Sequence, residues 1–158
     1  MQGKPARESV VEMAEVVLPQ DANPHGTAFG GKIAQWIDLC AGMAAGRHCR
    51  LSVVTVSMDD LHFHAPIKIG HFALLTSKIT AVFRSSMEVS VRVMAENPLS
   101  GDRSLCTSAF LTFVALDPDG KPREVPPLIL ETPEERAAFA QAKERREHRL
   151  RRATAGPG

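Results

Sequence analysis

The sequence predicts an α+β fold in which one long apolar helix sits among antiparallel strands. Three observations lead there. Apolar side chains recur at helical spacing from Gly30 to about His48. Four later segments are rich in β-branched residues, and "MEVSVRVMAE" alternates cleanly. The connections between these segments are short, which favours antiparallel pairing over the long crossovers of a parallel sheet.

"SVVEMAEVVL" (Ser9–Leu18) is the first strand, and "PQDANPHG" after it is dense in turn formers. The helix follows, with Ile33, Ile37, Cys40, Ala41, Ala44 and Ala45 at three- and four-residue steps. Trp36, Leu39 and Met43 carry the apolar surface round the cylinder, so the helix is expected to be buried on most sides. Leu51–Phe63 is the next strand, ended by Ala65–Pro66 and Gly70, and His71–Phe83 the one after. Arg84–Ser86 reads as a turn or bulge. Met87–Glu96 puts Met87, Val89, Val91, Val93 and Ala95 on one face, and Glu88, Ser90, Arg92 and Glu96 on the other. After the loop "NPLSGDR", Ser104–Leu116 is the last long strand, closed by the turn "DPDGKP".

The tail changes character. Thr132 is placed as an N-cap, Pro133 opens the helix and Glu135 completes a capping box. Charges surround this helix, which is expected to be peripheral and to fray beyond Arg149. The organisation is therefore a flexible N-terminus (1–8), one domain (9–131), a charged helix (132–152) and a disordered tail (153–158). One helix on one sheet leaves apolar surface open, so at least a dimer is expected.

The chain has 158 residues, enough for one domain with a real core, and a net charge of +1, which gives nucleic acid little to bind. The 3 cysteines form no CxxC pair and are read as buried thiols in a reducing compartment. No signal-type or membrane-length apolar run is present, so a cytoplasmic protein without membrane association is expected. His62 and His64 share a strand face, but no carboxylate or cysteine cluster completes a metal site around them.

Asp38 stands out because an ionised carboxylate within an apolar helix needs a partner or access to water. Its helical neighbours Ala34, Gln35, Ala41, Gly42 and Ala45 are mostly small and would admit another helix or a substrate. Gly42 weakens the helix by about 1 kcal/mol relative to alanine, and close approach is a compensating reason. The alternative is that Asp38 pairs with Arg47 or His48. Gly30 and Gly31 open the helix, where free N–H groups and the helix dipole favour a developing oxyanion; a plain tight turn is the other reading. Asn23 offers an amide to orient a water or carbonyl, or is simply a turn residue. His25 reads as an exposed loop histidine. No GxSxG nucleophile elbow occurs.

Asn23, Phe29-Gly30-Gly31 and Asp38, in "NPHGTAFGGKIAQWIDLCAGMAAGRHC", resemble the hotdog-fold acyl-CoA thioesterases, in particular the cytosolic brain-type acyl-CoA hydrolases and their short bacterial relatives. The likeness continues through "VVTVSMDDLHFHAPIKIG", "RSSMEVSVRV", "TSAFLTFVALDPDGKP" and "VPPLILETPEERAAFAQAKERR". It implies a hotdog fold, with a long central helix wrapped by a curved antiparallel sheet. It also implies a homodimer with active sites between subunits, assembling as a trimer of dimers. Vertebrate relatives carry two such domains in one chain; here the second must come from another subunit.

By position, the resemblance makes Asp38 the catalytic carboxylate, Asn23 the loop asparagine given across the interface, and Gly31 with Gly30 the backbone oxyanion site. Phe29 replaces the histidine that some relatives carry there. Arg84, Ser85 and Ser86 are expected at the coenzyme A end; Trp36, Leu39 and Met43 either line the acyl chain or are equally core residues. Coenzyme A is part of the substrate, and no separate cofactor is expected. Asp38 would deprotonate a water or attack the thioester itself. A non-catalytic acyl-CoA sensor and an acyl-thioester hydratase or dehydratase are the alternatives.

Overall fold

The computed structural model describes residues 1–154, apart from the side chain of Asp60. A short strand β1 (Lys4–Pro5) precedes β2 (Val11–Val16), the helix α1 (Gly30–Cys49), β3 (Ser52–Phe63), β4 (Phe72–Val82), β5 (Ser86–Glu96), β6 (Arg103–Leu116), β7 (Leu128–Ile129) and the helix α2 (Pro133–Thr154). Strands β2-β4-β5-β6-β3 form one five-stranded antiparallel sheet in that order. The sheet curls round α1, and Ile33, Ile37, Cys40, Ala41 and Ala44 meet Leu75, Ile79, Val89, Val91, Leu111 and Phe113 in one core. The alternating face of β5 is buried as its period requires: Met87, Val89, Val91, Val93 and Ala95 all line that core.

Two expectations are corrected, and one feature is added between them. Residues 1–8 do not form a free end. Lys4–Pro5 pair in parallel with Leu128–Ile129, and Ala6–Glu8 make a 3-10 turn. The cause is at the other end of α1: Lys4 Nζ donates to the carbonyls of Arg47 (3.1 Å) and His48 (2.8 Å), filling acceptors at the negative end of the helix dipole. Those partners lie 43 and 44 residues away, out of reach of local patterning.

The added feature is Glu88, which lies on the face of β5 away from that core strip, yet whose side chain is 1% exposed. α2 covers it: Arg145 donates two hydrogen bonds to its carboxylate (2.9 and 2.8 Å), and Thr80 Oγ1 donates a third at 2.6 Å. Arg145 also lies 3.6 Å over the Phe110 ring, and Phe139 of α2 stacks on Phe83. α2 is thus charged yet docked, with the carboxylate of the pair buried beneath it.

Second, α2 does not fray at Arg149; it runs through Ala153 and Thr154. The remainder of the expected tail, residues 155–158, lies outside the described residues. At its start Thr132 Oγ1 accepts from Glu135 N as a cap should, but the Glu135 carboxylate reaches back to Glu131 N rather than to Thr132 N.

Candidate active site

α1 is not covered all round. Trp36 is in the core, but Leu39 and Met43 are 54% and 47% exposed. They leave an apolar strip on α1 beside the open edge of the sheet, since β3, where Val54 and Val56 are also exposed, bonds to β6 on one side only. Asp38 sits beside this face, half-buried. Thr55 of β3 donates a hydrogen bond from Oγ1 to Asp38 Oδ1 at 2.7 Å. The pairing of Asp38 with Arg47 or His48 is not what forms. Arg47 donates to the Val10 carbonyl (2.6 Å), and His48 Nε2 bonds the Pro126 carbonyl (2.8 Å). Asp38 is therefore held by a neutral hydroxyl, which orients the carboxylate without neutralising it.

Asn23 organises the loop that enters α1. Its Oδ1 accepts from the N–H groups of His25 (2.9 Å) and Thr27 (3.2 Å), and its Nδ2 donates to Thr27 Oγ1 (2.9 Å). The loop is tied down further by Ala28 N to the Ile67 carbonyl and Phe29 N to the Asp21 carbonyl. Phe29 occupies the N-cap of α1 and has no side-chain oxygen to cap with. The N–H groups of Gly30 and Gly31 follow directly. A Cβ on Gly31 would stand 3.0 Å from the Phe29 ring, so glycine there lets Phe29 pack at the helix start, whereas one on Gly30 would meet Phe63 at an ordinary contact distance of 3.6 Å. Beside them opens a cavity of about 340 Å³ lined by Thr27, Gly30, Ile33, Phe63, His64 and Pro66.

The site residues thus fall into two groups within one chain. Gly31 precedes Asp38 by two helical turns, about 10 Å of axial rise, so a single α1 does not put its own N-terminus against its own carboxylate. Arg84, Ser85 and Ser86 lie two strands across the sheet from Thr55. Their hairpin joins β4 to β5, and Ser86 pairs with Val114, which pairs with Val54. The hairpin is fixed through its backbone, with the Arg84 and Ser85 carbonyls accepting from Val125 and Ala115. Thr55 is the residue that sequence reading missed. Its only sign was a hydroxyl within the β-branched run "VVTVS", which reads equally as ordinary strand composition.

His25, His62 and His64 are exposed, and no cluster of metal-ligating side chains occurs among the described residues. Cys40, Cys49 and Cys106 are free and buried. Burial pushes the Cys106 thiol up to about 11, so it is not an activated nucleophile.

A family model described as the thioesterase superfamily matches residues 25–101. A Bacillus subtilis protein named as an uncharacterized acyl-CoA thioester hydrolase, YkhA, is 47% identical over 129 residues, covering 82% of this chain and 75% of that protein. The chain belongs to the hotdog-fold acyl-CoA thioesterases. The cytosolic acyl coenzyme A thioester hydrolase of mouse is 36% identical over 84% of this chain, which spans 35% of that longer protein. A hexameric acyl-CoA thioesterase solved without ligand superposes with a TM-score of 0.92 at 40% identity, over 97% of this chain and 98% of that one. An acyl-CoA hydrolase of Staphylococcus aureus, solved with butyryl coenzyme A and coenzyme A, gives 0.88 at 36% identity, over 96% and 93%. That hydrolase has also been solved with alanine in place of an aspartate, an asparagine and a threonine. Among the described residues, no helix of the present family member is long and apolar enough to cross a membrane.

Proposed function

We propose that this protein hydrolyses acyl-CoA thioesters to a free fatty acid and coenzyme A, at sites shared between two copies of the chain. One observation carries the reading: Asp38 is held by Thr55 Oγ1 at 2.7 Å on an open apolar face. Its spacing supports it. Asn23, Asp38 and Thr55 stand 15 and 17 residues apart, and the asparagine, aspartate and threonine replaced in the Staphylococcus aureus hydrolase stand 15 and 17 apart as well.

The second copy supplies what one chain separates. Two α1 helices packed antiparallel through Leu39 and Met43, with their β3 edges adjacent, bring the start of one helix toward the Asp38 of the other. Asp38 then deprotonates a water or attacks the thioester carbonyl directly. The oxyanion that forms is met by the partner's Gly31 and Gly30 N–H groups at the positive end of its α1. Asn23 of the same partner holds that loop, and the Nδ2 N–H not used by Thr27 orients the water or carbonyl. The coenzyme A thiolate leaves without needing a strong acid, so this chemistry requires no metal or redox cofactor. Arg84, Ser85 and Ser86 meet the coenzyme A end through a guanidinium, two hydroxyls and turn N–H groups. The hexameric relative supports a trimer of dimers, and the cytosolic mouse relative supports a cytoplasmic location.

The test is steady-state hydrolysis of short-, medium- and long-chain acyl-CoAs, with free coenzyme A followed by chromatography. Wild type is expected to turn over. Asp38→Asn is expected to lose at least about a hundredfold in kcat while folding and binding coenzyme A normally. Tight acyl-CoA binding without turnover by wild type would favour a sensor instead.

A further inference from the structure

The strand that carries the donor to Asp38 has backbone support on one side only. β3 is an edge strand bonded to β6 alone, and its register shifts twice, between Thr55 and Ser57 and between Asp59 and His62. Val56 is the extra residue at the first shift, and Thr55 stands directly before it. If the extra residue of that bulge became Thr55 instead of Val56, Thr55 would lose its place opposite Phe113 and the apolar Val56 would replace it beside Asp38.

The strip between the two shifts is gripped from the outer face of the sheet. Arg149 Nη1 of α2 donates to Asp59 Oδ2 at 3.1 Å, with side chains only 17% and 18% exposed. Arg152 is a looser second cation, 3.9 Å from Asp59 and 63% exposed. α2 itself is anchored one turn earlier, where Arg145 grips the buried Glu88. Asp59 is therefore tied through a docked helix to the centre of the sheet, four residues from Thr55.

The geometry points to Arg149 as a positioning residue: through Asp59 it fixes the bulged strip of β3 in the register that delivers the Thr55 hydroxyl to Asp38. This rests on the acyl-CoA hydrolase reading above. The role assigned to Arg149 runs through the strand and requires no contact with substrate.

The test uses the full chain with Arg149→Met, the conservative Arg149→Lys, and Arg149→Met combined with Arg152→Gln, which closes the second route to Asp59. Arg149→Met is expected to lower kcat about tenfold with KM little changed, the loss being that of one hydrogen bond to a charged group. The combined variant is expected to lose more, and Arg149→Lys to recover most of the activity. In a Thr55→Val background the same Arg149→Met change is expected to have no further effect on kcat, because the two act in series. Amide hydrogen exchange over residues 53–59 is expected to quicken in Arg149→Met, while β4 and β5 stay protected. Asp59→Asn stands in should Arg149→Met not fold.

A lower melting temperature with unchanged kcat would overturn the proposal, as would a full kcat effect persisting beside Thr55→Val. Should wild type hydrolyse no acyl-CoA, the hydrolase reading fails, and exchange decides the positioning claim alone. Faster exchange confined to β3 upholds it, and unchanged exchange overturns it.

Discussion

Asp38 and His48 lie on the same helix and show two ways a titratable side chain is tolerated in an apolar setting. Asp38 keeps access to the open face and one hydroxyl partner. His48 is fully buried; its Nε2 must donate to the Pro126 carbonyl, which leaves Nδ1 an acceptor without a partner among the described residues. Burial holds its pKa below the ordinary 6.5, with nearby Lys4 acting in the same direction and the Pro126 bond and Glu8 opposing. The unfolded chain therefore takes up this proton more readily than the folded one. Stability from His48 is present above about pH 6.5 and falls as the pH drops below that value. Melting temperatures between pH 5 and 8 are expected to show this slope in wild type and a shallower one in His48→Gln. At this scale Asp38 was legible, because a carboxylate breaks an apolar period. Thr55 was not, because its partner is 17 residues away and only the strand's pairing with β6 fixes which way it points.

Among the elements, α1 and the four long strands were legible to within a few residues, because burial writes periods of 3.6 and 2 into the chain. What periodicity does not carry is which polar residue a second element will cover. Glu88 belongs by parity to the outer face of β5, and α2 by composition to solvent. Together they form a buried ion pair that neither announces alone. Arg145→Met would leave the Glu88 carboxylate held by the Thr80 hydroxyl and is expected to lower stability by about 3 kcal/mol, the usual penalty for removing one half of a buried pair. Chemical denaturation of the purified variant measures it. Replacing both partners, as in Glu88→Leu with Arg145→Met, is expected to recover much of that loss, because no orphaned charge remains. The N-terminal strand was illegible for a related reason: two residues have no period, and Lys4 is identified as a helix cap only by carbonyls far along the chain.

For the whole molecule, the apolar face of α1 and the open edge of β3 account for the separation of the site into two halves. Asn23, Gly30 and Gly31 stand at one end of the helix, with Asp38 and Thr55 two turns on. The account's central claim is that each working site takes its Asn23 end from one subunit and its Asp38 from another. Mixing Asn23→Ala subunits with Asp38→Asn subunits, after joint unfolding and refolding or by co-expression, tests it directly. Each variant alone is expected to be nearly inactive. In a random mixture half the dimers are hybrid, and each hybrid holds one site with both residues intact, so about a quarter of wild-type turnover is expected to return. No recovery from hybrids shown to have formed would contradict the claim and return both residues to a site within a single chain.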